Sequence, residues 1–242
     1  MENPIPPSLD RAVKGYKPPE KAAELVKSCR LFLIAGTAGS GKNSVIEKLL
    51  KLGGYRFIVS HTTRRPRVFA GNKREPEDQY HFTDVSEMER MVREKCFFEV
   101  KVVHGIHVYG TSLAELEKVR DSGLIGTTDI DVQGVAEYVK IKPNTKAVFL
   151  LPPNYDEWIM RLTKRGNMPP DELKRRLFSA QQELEAAIVE GYFKFIVNAD
   201  LDTTVREADS VAKNQDRQTG GDEGGIEHAW RVLGELKREL SS

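Results

Sequence analysis

The sequence predicts an α/β protein: a parallel sheet core with helices on both faces. Three observations carry this reading. Short apolar runs at residues 31–35, 57–59, 124–131, 147–151 and 193–197 alternate with segments of helical period. A glycine-rich string, Gly36-Thr37-Ala38-Gly39-Ser40-Gly41-Lys42-Asn43-Ser44, stands between the first run and a helical segment beginning at Val45. The chain has 242 residues, 39% of them hydrophobic, enough for one sizeable α/β domain or two small ones.

Along the chain, residues 1–18 are Pro-rich and polar and read as extended or mobile. Residues 19–27 read as a short helix with Pro19 at its first position. Residues 57–59 read as a second strand, and 61–79, crowded with Arg, Lys, Glu and Pro, as a loop or mobile segment. Residues 86–93 form a helix with Met88, Met91 and Val92 on one face. Residues 97–103 and 105–109 pair as a hairpin. A helix over 112–122 ends at Gly123, a C-cap. The run 124–131 is a strand ending in Asp129 and Asp131, and 147–151 a buried strand stopped by Pro152-Pro153. Helices over 156–164 and 171–188 flank a Gly-Asn-Met-Pro-Pro loop, and 193–197 is the last strand. Residues 216–225 are polar and Gly-rich, a flexible linker. After it Ile226, Trp230, Leu233, Leu236 and Leu240 form an apolar helical stripe. That stripe either docks on the chain's own domain or serves self-association or a partner.

Composition excludes several classes. The net charge of +1 provides no global field for nucleic acid or membrane, so anion binding must come from local clusters. Two cysteines, Cys29 and Cys96, make no disulfide framework and lack metal-ligand spacing. No 18-residue apolar run exists, and the N-terminus lacks the basic and apolar regions of a signal peptide, so a cytoplasmic protein is expected.

Strand, glycine-rich loop and helix in that order are the setting of a phosphate-binding P-loop. Glycines let backbone N–H groups curl around a phosphate without Cβ clashes, and the following helix N-terminus adds partial positive charge. Lys42 can reach the β- and γ-phosphates as a mobile point charge. The alternative is a Gly-rich turn with no ligand; Asn43, where the strict pattern has Ser or Thr, departs from the motif. A second anion cluster follows in Ser60-His61-Thr62-Thr63-Arg64-Arg65-Pro66-Arg67, with three arginines in four residues at a strand end. Its bland counterpart is a solvated basic turn, against which Tyr80, Tyr109 and the P-loop weigh.

Those residues, followed by Tyr80-His81-Phe82, Phe98-Glu99-Val100, Val108-Tyr109-Gly110-Thr111-Ser112 and Asp129-Ile130-Asp131-Val132-Gln133-Gly134, resemble guanylate kinases in order. The resemblance continues through Val148-Phe149-Leu150-Leu151-Pro152-Pro153, Arg161-Leu162-Thr163-Lys164-Arg165-Gly166, Arg176-Leu177 and Ile196-Val197-Asn198, covering residues 30–212. It implies a P-loop NTPase-type core over residues 30–213, a mixed α/β GMP-binding subdomain over 61–113 and a helical lid over 153–184. Residues 1–29 and 214–242 then form an N-terminal extension and a linker with a C-terminal amphipathic helix.

By this resemblance the chain phosphorylates GMP with ATP and Mg²⁺. ATP would lie on Gly36, Thr37, Ala38, Gly39, Ser40, Gly41, Lys42, Asn43, Ser44 and Asn198. Ser60, Arg64, Arg67, Tyr80 and Tyr109 would take the GMP phosphate, and Glu99, Thr111 and Asp131 the guanine. Lys42 would neutralise the ATP phosphates, and Arg64, Arg67, Arg161, Arg165 and Arg176 would surround the moving phosphoryl group, with Arg161 and Arg165 four apart on one helix face. Asn43, Ser44 and Asp129 would serve the metal; an Asn carbonyl oxygen suits Mg²⁺.

The base assignment has a chemical rationale. Guanine presents N1–H and N2–H₂ side by side to a carboxylate, and the Thr111 hydroxyl can donate to O6. Adenine would leave such groups unpaired. Besides Asn43, the usual Pro-Arg-x-Gly-Glu stretch is replaced by Pro66-Arg67-Val68-Phe69-Ala70-Gly71, and the segment from Arg67 to Tyr80 is longer. A related interaction module that binds phosphopeptides without catalysis is the second function class; it typically lacks the intact P-loop and lid arginines present here. A P-loop kinase for another nucleotide is the third.

Overall fold

The computed structural model describes residues 5–66, 68–69, 73–76, 79–103, 105–163, 170–213 and 223–241. In chain order the elements are α1 (Pro7–Lys14), α2 (Lys21–Ser28), β1 (Arg30–Gly36), α3 (Lys42–Leu52), β2 (Tyr55–Phe57), β3 (Ser60–Thr62), β4 (Val68–Phe69), β5 (Lys73–Arg74), β6 (Tyr80–Phe82), α4 (Val85–Arg93) and β7 (Phe97–Val103). There follow β8 (His107–Ser112), α5 (Leu113–Ser122), β9 (Ile125–Asp129), α6 (Val132–Ile141), β10 (Lys146–Leu151), α7 (Tyr155–Thr163), α8 (Pro170–Glu190), β11 (Lys194–Val197), α9 (Leu201–Lys213) and α10 (Glu223–Ser241). The chain divides into two compact units, one of residues 1–30 with 56–126, the other of 31–55 with 127–242.

The first unit is built on a four-stranded sheet of order β6-β3-β8-β7, in which β3 runs parallel to β6 and antiparallel to β8. The expected hairpin is β7 with β8. The basic segment over 61–79 is not simply a loop: β3 enters it, and β4 and β5 pair antiparallel within it. Residues 7–14, expected to be extended, are helical. Pro7 stands in the first turn, where its missing N–H costs nothing, and Leu9 and Val13 share a face at i, i+4. That face closes over Met88, Val92, Phe97 and Val108. The Tyr16 hydroxyl then donates to the Phe97 carbonyl at 2.6 Å and accepts its N–H at 3.0 Å. α2 packs on α5, where the Cys29 thiol donates to the Leu116 carbonyl at 3.3 Å.

The second unit carries β1, β10 and β11, neighbours in the order β11-β10-β1, with both pairs parallel. Leu31 to Ala35 of β1 and Ala147 to Leu151 of β10 are buried throughout. Such continuous apolar runs are the mark of a sheet covered on both faces. α9 packs on α3, and the Tyr55 hydroxyl donates to Asp209 at 2.7 Å. Residues 216–222 of the linker expected over 216–225 lie outside the described residues, and 223–225 are not linker but open α10.

The C-terminal helix docks on its own unit, against α8, β11 and α7. Its buried stripe is Ala229, Val232, Leu233 and Leu236, rotated from the expected one, so that Trp230 is 56% exposed. His228 Nε2 donates to the Pro152 carbonyl at 2.8 Å, and Lys237 pairs with Glu185 at 2.7 Å. No helix among the described residues is long and apolar enough to cross a membrane.

The N-terminal helix is therefore expected to contribute to global stability. Leu9→Ala, at a fully buried site, should lower the unfolding free energy by about 2–5 kcal/mol, read as a shifted urea midpoint with unchanged slope. A midpoint matching the parent would mean that residues 7–14 are not part of the cooperative unit.

Candidate active site

In the second unit, buried β1 delivers the chain into a loop over 37–41, and α3 starts at Lys42. Gly41 has φ +94°, and a Cβ there would stand 2.2 Å from Asn198 Nδ2, so only glycine fits. Lys42 Nζ donates to the Gly36 carbonyl at 2.6 Å and the Thr37 carbonyl at 3.3 Å. Asn198 Nδ2 donates to the Ser40 carbonyl at 2.7 Å, and its Oδ1 accepts from Thr204 at 3.2 Å. Asn198 thus braces the loop from behind. Trp158 Nε1 donates to the Ala38 carbonyl at 2.7 Å. Asn43 and Ser44, in the first turn of α3, are both exposed.

Arg161 donates through Nη1 to the Asn198 carbonyl at 3.1 Å and through Nε to Glu157. Arg176 pairs with Glu172 at 2.8 Å. Arg165 lies outside the described residues. Asp129 ends β9, and the next residue, Ile130, donates to the Ile34 carbonyl of β1 at 3.1 Å, which sets this strand end beside the phosphate-loop strand. Asp131 caps α6, accepting from the Gly134 N–H at 2.7 Å. Glu183 of α8, which the sequence did not single out, has its carboxyl pushed up to about 7 by burial. Lys42 counteracts this and Asp131 reinforces it. A carboxyl that feels both charges belongs to the same electrostatic neighbourhood.

In the first unit, register assembles the other residues. β3–β6 pairing sets Ser60 beside Tyr80, β3–β8 pairing sets Thr62 beside Tyr109, and β7–β8 pairing sets Glu99 beside Thr111. Glu99 Oε1 accepts from the Thr111 N–H at 3.1 Å and the Thr111 hydroxyl at 2.8 Å. The hydroxyl proton expected for a base carbonyl is thus given to the carboxylate, the stronger acceptor. Lys101 Nζ stands 4.0 Å from Glu99 Oε2 and is a neighbour that sequence reasoning missed.

Arg64 is 6% exposed and held on every side. Its Nη1 and Nη2 form a bidentate pair with Glu75 at 2.7 and 2.9 Å, Nη1 also donates to the Arg65 carbonyl, and Nε donates to the Tyr109 hydroxyl at 3.0 Å. The guanidinium carbon lies 5.2 Å from the Tyr80 ring centre and 5.6 Å from that of Phe82. Described partners thus take four of its five N–H groups. Glu75 was not legible as a partner: it is one acid among many charges. Arg67 lies outside the described residues. His61, inside the basic run, is no cation. Burial, then His81, push its imidazole down to about 4.

A family model described as guanylate kinase matches residues 28–215. The chain belongs to the guanylate kinase family. Guanylate kinase of Tropheryma whipplei (strain Twist) is 38% identical over 179 residues, covering 73% of this chain and 89% of the relative. That of Shewanella oneidensis is 36% identical over 192 residues, covering 78% and 89%. A crystal structure of guanylate kinase from Anaplasma phagocytophilum matches with a TM-score of 0.57 at 27% identity, covering 79% of this chain and 89% of that one. Relative to the guanylate kinase match, α1 and α10 lie outside the shared region. The guanylate kinase stretch Pro-Arg-x-Gly-Glu ends in an acid that residues 66–71 lack. Glu75, further along the longer segment, is the acid that meets Arg64.

Glu183 predicts a pH signature. Its folded pKa lies above the unfolded value of 4.5, so the folded chain holds the proton more tightly. Its stabilising contribution is complete below about pH 4.5 and is lost as pH rises through about 7. Glu183→Gln should therefore gain stability on the parent between pH 5 and pH 8, by about 1–3 kcal/mol for a partly buried group. Denaturant unfolding of both proteins at the two pH values checks this, and a difference independent of pH would contradict it.

Proposed function

We propose that this chain transfers the γ-phosphoryl group of ATP to the phosphate of GMP, giving ADP and GDP. The observation that carries the reading is the coexistence of a braced glycine-rich loop ending in Lys42 with the cross-strand Glu99–Thr111 pair. One serves a phosphoryl donor and the other a guanine acceptor. Membership of the guanylate kinase family supports it. The acceptor oxygen of GMP is already ionised at neutral pH, so positioning and charge neutralisation are the protein's task.

In this reading residues 36–44 hold the ATP phosphates, with Lys42 neutralising them, and Asn198 keeps the loop in shape. Arg161, Arg165 and Arg176, in a lid over 153–184, surround the moving group, Arg161 and Arg176 each released from its present partner as ATP arrives. Ser60, Arg67, Tyr80 and Tyr109, in a GMP subdomain over 61–113, meet the GMP phosphate. Arg64 contributes the Nη2 N–H that its described partners do not take, as a rigid donor rather than a mobile one. Glu99 accepts the guanine N1–H and N2–H₂. The Thr111 contacts fall on Oε1 alone, one of the two carboxylate oxygens that guanine's paired donors would address. Asp131 completes the base site.

Mg²⁺ fits the donor set. The buried Thr37 and Ser40 hydroxyls lack a described partner, and Asn43, Ser44 and Asp129 supply oxygen donors of the kind a hard cation takes. Asn43 or Ser44, with Asp129 in the outer sphere, would hold it. When bound, it neutralises charge on the ATP phosphates. Substrates are small nucleotides, and the near-zero net charge offers nothing to nucleic acid.

A coupled ADP-release assay with GMP, AMP, CMP and UMP tests the reading. GMP should be strongly preferred, and absence of turnover with GMP would leave the non-catalytic module. Glu99→Gln should raise the GMP KM roughly 10- to 150-fold while the ATP KM stays nearly constant, since a charge-assisted hydrogen bond is lost. An unchanged GMP KM would remove Glu99 from the base site.

A further inference from the structure

We propose that Trp158 is a positioning residue for the phosphate loop, acting through the Ala38 carbonyl, and that its indole emission reports ATP binding. The proposal rests on the reading of residues 36–44 as the ATP loop, and names a residue outside that string which sets its shape.

The indole is fully buried in α7, and its Nε1–H donates to the Ala38 carbonyl at 2.7 Å. The next residue, Gly39, has φ +84°, and a Cβ on it would stand 3.1 Å from Leu162 Cδ2 and 3.4 Å from Trp158 Cδ1. α7 therefore lies directly against the peptide joining residues 38 and 39. A trans peptide is planar, with its C=O and N–H on opposite sides. Holding the Ala38 carbonyl toward the indole fixes the Gly39 N–H on the side away from α7. An anion cradle consists of such oriented N–H groups. Glycine at 39 makes the lock necessary, because a glycine tolerates both orientations of the preceding peptide at little cost. Deprived of the indole donor, a buried carbonyl is left unpaired or turns over, and turning over removes the N–H from the cradle.

Packing alone does not account for the arrangement. Leu162, one turn along α7, meets the same glycine with purely apolar atoms. The indole also has the Tyr155 ring against it edge-on, at 6.1 Å between centres. The indole N–H is aimed at the loop.

Trp158→Phe keeps an aromatic ring and deletes the donor. It should raise the ATP KM about 5- to 50-fold while leaving the GMP KM within about twofold. A residue that merely fills space would lower the thermal midpoint and leave that split absent. An ATP KM equal to the parent's would overturn the proposal. The second arm needs no variant at position 158. The chain's other tryptophan, Trp230, is exposed on α10, so Trp230→Phe leaves Trp158 as the sole indole. Its emission should shift on titration with ATP in the absence of GMP, half-saturating where turnover does. Emission indifferent to ATP, in a protein that still turns over GMP, would overturn the proposal while the function stands. A shift in a protein that fails to phosphorylate GMP would sustain the role of Trp158 and remove the acceptor assignment. Should Trp158→Phe fail to fold, this titration decides alone.

Discussion

A loop that turns its amides toward an anion must turn its carbonyls elsewhere, and buried carbonyls need donors. The structure around residues 36–41 follows from that constraint. Gly36 and Thr37 carbonyls accept from Lys42 Nζ, the Thr37 carbonyl also from the Ser40 N–H, and the Gly41 carbonyl from the Val45 N–H in the first turn of α3. Those partners are local. The Ala38 and Ser40 carbonyls are served instead from Trp158 and Asn198, more than a hundred residues downstream. The arrangement accounts for the topology of the unit. β1 must be buried to fix the loop's start, and β10 and β11 must run parallel beside it so that α7 and Asn198, which follow them, arrive at the loop.

A similar accounting governs Arg64 in the other unit. A buried guanidinium without a partner is strongly unfavourable, and replacing one member of a buried pair typically costs more than the pair contributes. Glu75 provides a bidentate partner that is itself 4% exposed. The rings of Tyr80 and Phe82 cover what hydrogen bonds do not. This spends most of the donors of a residue counted as mobile machinery. Rigidity replaces reach: an arginine held by four N–H groups presents the fifth at a fixed place, which suits phosphate recognition better than neutralising a group in motion.

What was legible in the sequence divides along the same line. The phosphate loop was readable because its geometry is local: apolar run, glycines, lysine and helix lie within twenty residues. The β7–β8 hairpin and the Gly123 cap were readable for the same reason. Glu99 opposite Thr111 was readable only through family resemblance, since a strand carboxylate carries no signal of its own partner. α1 was missed because its prolines outweighed a visible clue, the Leu9–Val13 spacing behind Pro7. The α10 stripe was legible in part: Leu233 and Leu236 are buried as the spacing expects, but Ala229 and Val232 are buried beside them while Trp230 is exposed. Trp158 and Glu183 were invisible for one reason: each acts on a residue far away in sequence, Ala38 and Lys42, and nothing local announces it; Glu75, close to Arg64 in sequence, was hidden among many other charges.

The same features bear on why a binding module is the weaker reading. A surface that only captured a phosphopeptide would gain nothing from a loop with positive φ at Gly39 and Gly41, or from buried Thr37 and Ser40 hydroxyls that no described group satisfies. Positive φ at Gly39 and Gly41 is unstrained because both residues are glycine, and that freedom lets backbone amides converge on an anion. Lys42 is held by two carbonyls of the loop itself, so its ammonium stays at the loop. The loop carries the costs of an anion site together with the braces that hold it ready. Those braces come from α7, which also carries Arg161, and from Asn198 just after β11. One helix, α7, thus carries both a donor that shapes the loop, Trp158, and a guanidinium, Arg161, that reaches the Asn198 carbonyl behind it.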